Sequence, residues 1–135
     1  MCPAYFVTEF DVRDSAANWP REFVIISAFA TTGETWTDEQ NQACDQELEK
    51  ALQERNVWMR RVTGRSPTGD HAEPSWAAEL PFAEACDLGL KFKQTAIYHV
   101  CDDQLSVSYC DQQRKFVPVS GFRERIHFWN HLTPD

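Results

Sequence analysis

The stretch TAIYHVCDDQLSVSYC, residues 95–110, constrains the fold more than any other part of the chain. Two runs rich in β-branched and aromatic residues flank Asp102-Asp103, and the spacing predicts a hairpin closed by a two-residue turn. That turn sets Val100 opposite Leu105, Tyr98 opposite Val107 and Ala96 opposite Tyr109. These six residues share one face, expected to be the core face, while His99, Ser106 and Ser108 share the other. In this register Cys101 and Cys110 stand roughly 20 Å apart at the usual strand rise, too far to bridge within the hairpin.

The other elements follow from local patterns. FVIISAF, Phe23 to Phe29, is a continuous apolar run suited to a central strand covered on both faces. A weaker strand is expected before it, from Ala4 to Phe10. Thr37 is a good helix N-cap with Gln40 at the capping-box position, and Asp38 and Glu39 suit the positive end of the helix dipole. Cys44, Leu48, Ala51 and Leu52 form one stripe on that helix. Asn41 lies a turn earlier on the stripe and needs a hydrogen-bond partner, and Asn56 is a left-handed stop. VWMRRVTGR alternates as a strand, with Trp58, Arg60 and Val62 on one face and Val57, Met59 and Arg61 on the other. SPTGD is turn chemistry, and SWAAEL a short strand. Pro81 opens a second helix whose inner face is Phe82, Ala85, Leu88 and Phe92, with Gly89 allowing close approach to the sheet. KFVPV reads as an edge strand because Pro118 lacks an N–H, and FRERIHFWNHL as a short terminal helix packing Ile126, Phe128 or Trp129, and Leu132. The order β-β-α-β-β-α-β-β, then a C-terminal strand and helix, predicts an α+β fold: one mostly antiparallel sheet with two helices on one face.

Bulk properties narrow the function. A chain of 135 residues with 42% apolar and 13% aromatic content fits one domain, residues 1–135, with its own core. No apolar run reaches the roughly 20 residues of a membrane span, and the N-terminus has no secretory pattern, so cytoplasm is the expected location. Five cysteines, an odd number without a CxxC pair, read as reduced thiols. A formal charge of −8 disfavours general nucleic-acid binding. No cofactor or metal is expected. His71 and Glu73 match the first half of the deaminase H-x-E pattern, but the partner P-C-x-x-C is missing. His127 and His131 supply two ligands without a third.

Taken in order, FVIISAF, TDEQNQ, VTGRSPTGDHAEPSW and LGLKFKQTAIYHV resemble the bacterial family known as domain of unknown function 3293. The likeness spans about residues 23–110, leaving 111–135 as a C-terminal extension, and rests on Asn41, Gly64, Glu73, Ser75, Phe92 and Gln94. Two positions depart from the pattern: Ala30-Thr31 stand where the family often has Asn-Pro, and Lys93 where it has Gly. The resemblance implies no activity, so function rests on the site itself.

The site to weigh is DHAEPSW, residues 70–76. Pro74 drives Glu73 towards extended backbone, which turns Glu73 and Ser75 to the same side. If the helix ends meet there, Asn41, Glu73, Ser75 and Gln94 converge beside Arg60 or Arg61 into a site for a small polar ligand. The alternative is structural: Glu73 ties down backbone N–H groups or pairs with Arg61 or Arg60, and the other polar groups cap their neighbours. We favour the structural role for Glu73. The chain as a whole reads as a non-catalytic binding or protein-interaction module. Its acidic helix face (Asp38, Asp45, Glu49) or its arginine strand would meet a protein partner, or a pocket would hold a small polar ligand. The competing reading is a small hydrolase or transferase acting on a nucleotide-like or phosphate-containing substrate, with Glu73 and His71 as acid–base pair and Ser75 beside them.

Overall fold

The computed structural model describes residues 2–13, 18–30 and 36–128. The α+β architecture is as expected. Eight strands are β1 Glu9–Val12, β2 Glu22–Ser27, β3 Met59–Arg65, β4 Ala72–Ala78, β5 Ala96–Cys101, β6 Gln104–Tyr109, β7 Val117–Gly121 and β8 Ile126–Phe128. Helix α1 spans Asp38–Glu54 and α2 spans Phe82–Lys91. The strands form one sheet in the order β7-β6-β5-β2-β4-β3-β1-β8, antiparallel except for the parallel β1–β8 pair.

The ends of that order are neighbours in the chain. Only the 3-10 turn Phe122–Glu124 and Arg125 separate β7 from β8, so the sheet curls until its two edges approach. Phe122 N–H donates to Asp103 O at 2.6 Å and Phe10 N–H to Arg125 O at 2.7 Å, which fastens the connection at both sides. The curl gives the sheet an inner and an outer face, each with its own core. Phe10, Phe23, Ile25, Val62, Ala77, Val100, Leu105 and Phe122 fill the inside, joined by Trp19, Trp58 and Tyr98. Outside, Val24, Ile26, Ala78 and Ile97 pack under Leu48 and Leu52 of α1 and Ala85, Cys86 and Leu88 of α2. Strand β2 feeds both cores by alternation, which explains its unbroken apolar run.

Local signals set the element ends. Thr37 and Gln40 form a reciprocal capping box on α1, and Asn56 takes the left-handed conformation at φ 55. In the β5–β6 hairpin all three expected pairs form, and Asp102 and Asp103 both take positive φ, 48 and 70, as a type I′ turn requires. Its second face is buried too: His99, Ser106 and Ser108 are each nearly inaccessible. His99 Nε2 lies 2.7 Å from Glu22 Oε2, and its ring stacks on Phe116. Gly89 brings α2 onto the sheet as expected; a Cβ there would stand 2.8 Å from Cys110 Sγ. Lys93 closes α2 at φ 59, a conformation glycine holds without strain. Pro118 sits in the edge strand β7.

Both chain ends differ from expectation. Pro3–Phe6 form a 3-10 turn, held by Tyr5 N–H to Cys2 O and Val7 N–H to Ala4 O, and the first strand starts only at Glu9. The expected C-terminal helix is absent over 122–128, where Ile126, His127 and Phe128 pair with Phe10, Asp11 and Val12. An unpaired β1 edge offers backbone partners that a short isolated helix cannot match. Trp129 and Leu132 lie outside the described residues. Strand β2 also stops two residues short of Phe29. Ser27 Oγ accepts from Phe29 N–H at 3.0 Å and Asn41 Oδ1 from Ala30 N–H at 2.8 Å, so side chains take the donors that would continue the ladder. Among the described residues no helix is long and apolar enough to cross a membrane.

Candidate functional site

At one end of the curl the inward positions turn polar. Beyond Ile25, Ala77 and Val62 the same face continues with Ser27, Ser75, Glu73 and Gly64. The register places Ser27 against Ser75 and Gly64 against Glu73. Phe10, Ile25 and Tyr98 form a floor, and the N-terminal turn with Tyr5 a rim, around a cavity of about 160 Å³. A Cβ at Gly64 would meet Thr8 Cγ2 at 3.4 Å and Phe10 Cε1 at 3.8 Å.

The turn before β4 aims these groups. Ser66 and Thr68 hydroxyls donate to Asp70 Oδ1 at 2.6 and 2.7 Å, and Ser66 N–H donates to His71 O at 2.9 Å. These bonds hold the Asp70 carboxyl below its ordinary range. From there Ala72–Ala78 runs extended, sending His71, Glu73 and Ser75 to one side. Pairing between β2 and β4 ends at Ser27–Ser75, so the missing N–H of Pro74 leaves no gap in that ladder. Ser27 Oγ instead reaches Pro74 O at 3.2 Å.

Glu73 does not take the structural role expected of it. Among the described residues no backbone N–H donates to its carboxylate, and neither Arg60 nor Arg61 reaches it; its ion-pair contact is His71 Nε2 at 3.7 Å, a largely exposed ring. Burial pushes the Glu73 carboxyl above its ordinary value, opposed in part by the Ser27 hydroxyl and by His71. Burial likewise pushes the Tyr5 phenol to about 12 and the Tyr98 phenol higher still, and Glu73 adds to both shifts.

Neighbouring groups are tied down. Ser75 Oγ donates to Glu73 O at 3.2 Å, and Tyr98 Oη donates to Tyr5 O at 2.8 Å. Gln94 lines the cavity while its Nε2 donates to Phe29 O at 2.8 Å and Phe92 O at 3.2 Å. Of the residues expected to converge, Glu73, Ser75 and Gln94 do, together with His71. Asn41 does not; it caps Ala30.

The arginines go elsewhere. Arg61 points to the outer face, where Nη1 and Nη2 bond Asp45 of α1 at 2.9 and 2.6 Å, over the Trp76 ring. Asp45 is therefore nearly buried rather than part of an exposed acidic face. Arg60 points inward but is four residues from Gly64 along β3, roughly 13 Å at the usual rise. Its guanidinium lies over Trp19 and Trp58, and its buried Nη1 has no hydrogen-bond partner among the described residues. Arg65 borders the cavity, but by alternation its side chain turns outward, where Nε bonds both Asp11 oxygens at 2.9 Å. Sequence reasoning missed Ser27, Tyr5 and Tyr98. Ser27 was detectable as the one hydroxyl ending an apolar run, whereas Tyr5 arrives from a distant turn with no local signal.

Among the described residues no group of three His, Cys, Asp or Glu side chains could hold a metal ion. His127 pairs with Glu9 across β1 and β8, and His131 lies outside the described residues.

Fold and cavity together define a class: a curled, mostly antiparallel sheet, two helices outside, and a polar mouth built around a partly buried carboxylate. Residues 26–97, just over half of the chain, match the family model described as Protein of unknown function (DUF3293), and the chain belongs to that family. The matched segment carries Ser27, Glu73, Ser75 and Gln94. No curated protein and no solved structure matches the chain.

Proposed function

We propose that the chain is a non-catalytic binding module whose mouth cavity holds a small polar ligand. One observation carries the reading: Glu73 stands partly buried in a cavity, its side chain 26% exposed, with neither an arginine nor a backbone donor on its carboxylate. A partly desolvated charge without a strong partner costs stability, and such cost is common where a group waits for a ligand. Around it Ser75, Gln94 and Tyr98 are fixed by bonds to backbone carbonyls, the preorganisation that keeps the entropic cost of binding low. The free cysteines and the lack of any membrane-crossing helix among the described residues support a place in the bacterial cytoplasm.

A thermal-shift panel of nucleotides and metabolites tests the reading. A specific ligand at 100 times its dissociation constant adds about 2.7 kcal/mol. The expected hit stabilises the protein and loses its effect in Ser75→Tyr, which fills the cavity. A stabilising hit unaffected by that change would place the site elsewhere.

The enzyme reading has one observation in its favour, the approach of His71 to Glu73. A phosphate-containing substrate would also need a cation, and Arg61 and Arg65 are paired while Arg60 is stacked far from the mouth. Binding is the better-supported role.

A further inference from the structure

We propose that the mouth cavity is selective for a small organic cation rich in N–H donors, a guanidinium or primary ammonium compound of about six heavy atoms. This rests on the binding role proposed above and narrows it to one ligand chemistry.

The hydrogen-bond polarity of the cavity points to this class. Ser75 and Tyr98 have each donated their one hydroxyl proton to a backbone carbonyl, so towards a ligand their oxygens can only accept. Ser27 accepts from Phe29 N–H, and its one proton is already shared between Pro74 O and the Glu73 carboxylate. Gln94 uses both amide hydrogens on Phe29 O and Phe92 O, and its Oε1 takes no hydrogen bond among the described residues. Glu73 adds two carboxylate oxygens. The lining therefore offers acceptors at five side chains, and on the donor side the exposed His71 and the Tyr5 hydroxyl at the rim. A ligand that satisfies such a lining brings donors, and a partly desolvated carboxylate favours one that brings positive charge as well.

Size and charge fit the same ligand. A cavity of roughly 150 Å³ accommodates a benzene-sized molecule, and this one measures about 160 Å³. That is far more room than a bare metal ion fills, and one carboxylate does not make a divalent site. The rings of Tyr5, Tyr98 and Phe10 in the wall add faces on which a cation is attracted. Charged groups around Glu73 do not neutralise it. Arg65 faces away and is held by Asp11, with Glu9 3.7 Å from its Nη2. Arg125 spends Nη1 on the Phe6 and Thr8 carbonyls, at 2.8 and 3.4 Å. Loss of the Glu73 proton creates the charge that the cation meets, so binding should strengthen as pH rises.

The test is an amide-resolved NMR titration of the full chain with methylguanidinium and butylammonium chloride. Acetamide, sodium acetate, inorganic phosphate and sodium chloride at equal ionic strength serve as comparisons. The expected result is that both cations shift the Glu73, Ser75, Gln94 and Tyr98 resonances saturably, more tightly at pH 8 than at pH 5. Glu73→Gln, which keeps the shape, should weaken them at least about tenfold. Acetamide, acetate or phosphate binding in place of the cations overturns the ligand class while leaving the cavity a binding site. If no probe shifts these resonances, the ligand class and the binding role fall together. Equal cation binding by wild type and Glu73→Gln also overturns the proposal.

Discussion

Arg61 and Asp45 hold each other by two hydrogen bonds, 2.9 and 2.6 Å, with the guanidinium 3.9 Å over the Trp76 ring. The pair ties α1 to β3 and β4 on the outer face, and it removes from the site an arginine that the sequence had placed near Glu73. Asp45 is far less exposed than Arg61, whose side chain is 40% accessible, so solvent screens part of the interaction. Asp45→Ala is expected to cost about 1–2 kcal/mol in urea melts. A double-mutant cycle with Arg61→Ala should show coupling above about 0.5 kcal/mol. Additive losses would mean that the pair holds nothing together.

Gly89 makes a second test of packing. Alanine there gains roughly 0.8–1 kcal/mol of helix propensity. Its Cβ, however, would lie 2.8 Å from Cys110 Sγ and 3.2 Å from Ile97 Cγ2, and overpacking costs about 1–3 kcal/mol. Gly89→Ala is therefore expected to lower stability by about 1 kcal/mol net. Adding Cys110→Ala should recover part of that loss, since the nearest clashing atom goes. A stabilised Gly89→Ala would show that the helix has room to move away.

How far the sequence foretold this arrangement depended on the range of the interaction. The Thr37–Gln40 box, the Asn56 stop and the Asp102-Asp103 turn are decided within four residues, and each formed as read. Gly89 announced a close approach but not its partner. The chain termini were misread because β1 and β8 stabilise each other across more than 100 residues, and no local pattern in IHF records a strand waiting at FDV. Glu73, Ser75 and Gln94 were legible as a cluster through alternation and position. Their neighbours were not: the arginines were assigned by proximity in sequence, whereas the pleat sends Arg61 and Arg65 to the outer face. The curl of the sheet, which makes the cavity, is a property of strand order and has no signature in any one segment.

The cysteines give a chemical prediction. Cys86 and Cys110 are buried, Cys44 and Cys101 partly covered, and Cys2 exposed, with all five free. Burial pushes the Cys110 thiol up to about 12, with Cys86 beside it adding to the shift, and raises Cys86 as well. Thiolate is the reactive form, so an Ellman titration of the folded protein at neutral pH should miss Cys86 and Cys110. After unfolding it should count five. Three or one would mean that disulfides form in the native protein.

Glu73 provides the test that separates a ligand site from a structural junction without any ligand. Burial raises its carboxyl above the ordinary value near 4.5, and the Ser27 hydroxyl and His71 offset this only in part. For a group raised on folding, the stabilising contribution is fully present below the unfolded pKa and is lost as pH rises through the folded value. As pH rises above the ordinary carboxylate range, the cost of ionising this group therefore weighs against the folded state. Glutamine has the same shape without the charge, so Glu73→Gln should be more stable than wild type at pH 7. The gain should exceed the roughly 0.5 kcal/mol scatter of surface substitutions. It should shrink as pH falls towards 4, where the wild-type side chain is itself neutral. Urea melts of both proteins between pH 4 and 8 measure the difference directly. A loss above about 1 kcal/mol at pH 7 would mean that the carboxylate holds the β3–β4 junction together, as a charged hydrogen bond does, and the cavity would then be a by-product of that bond.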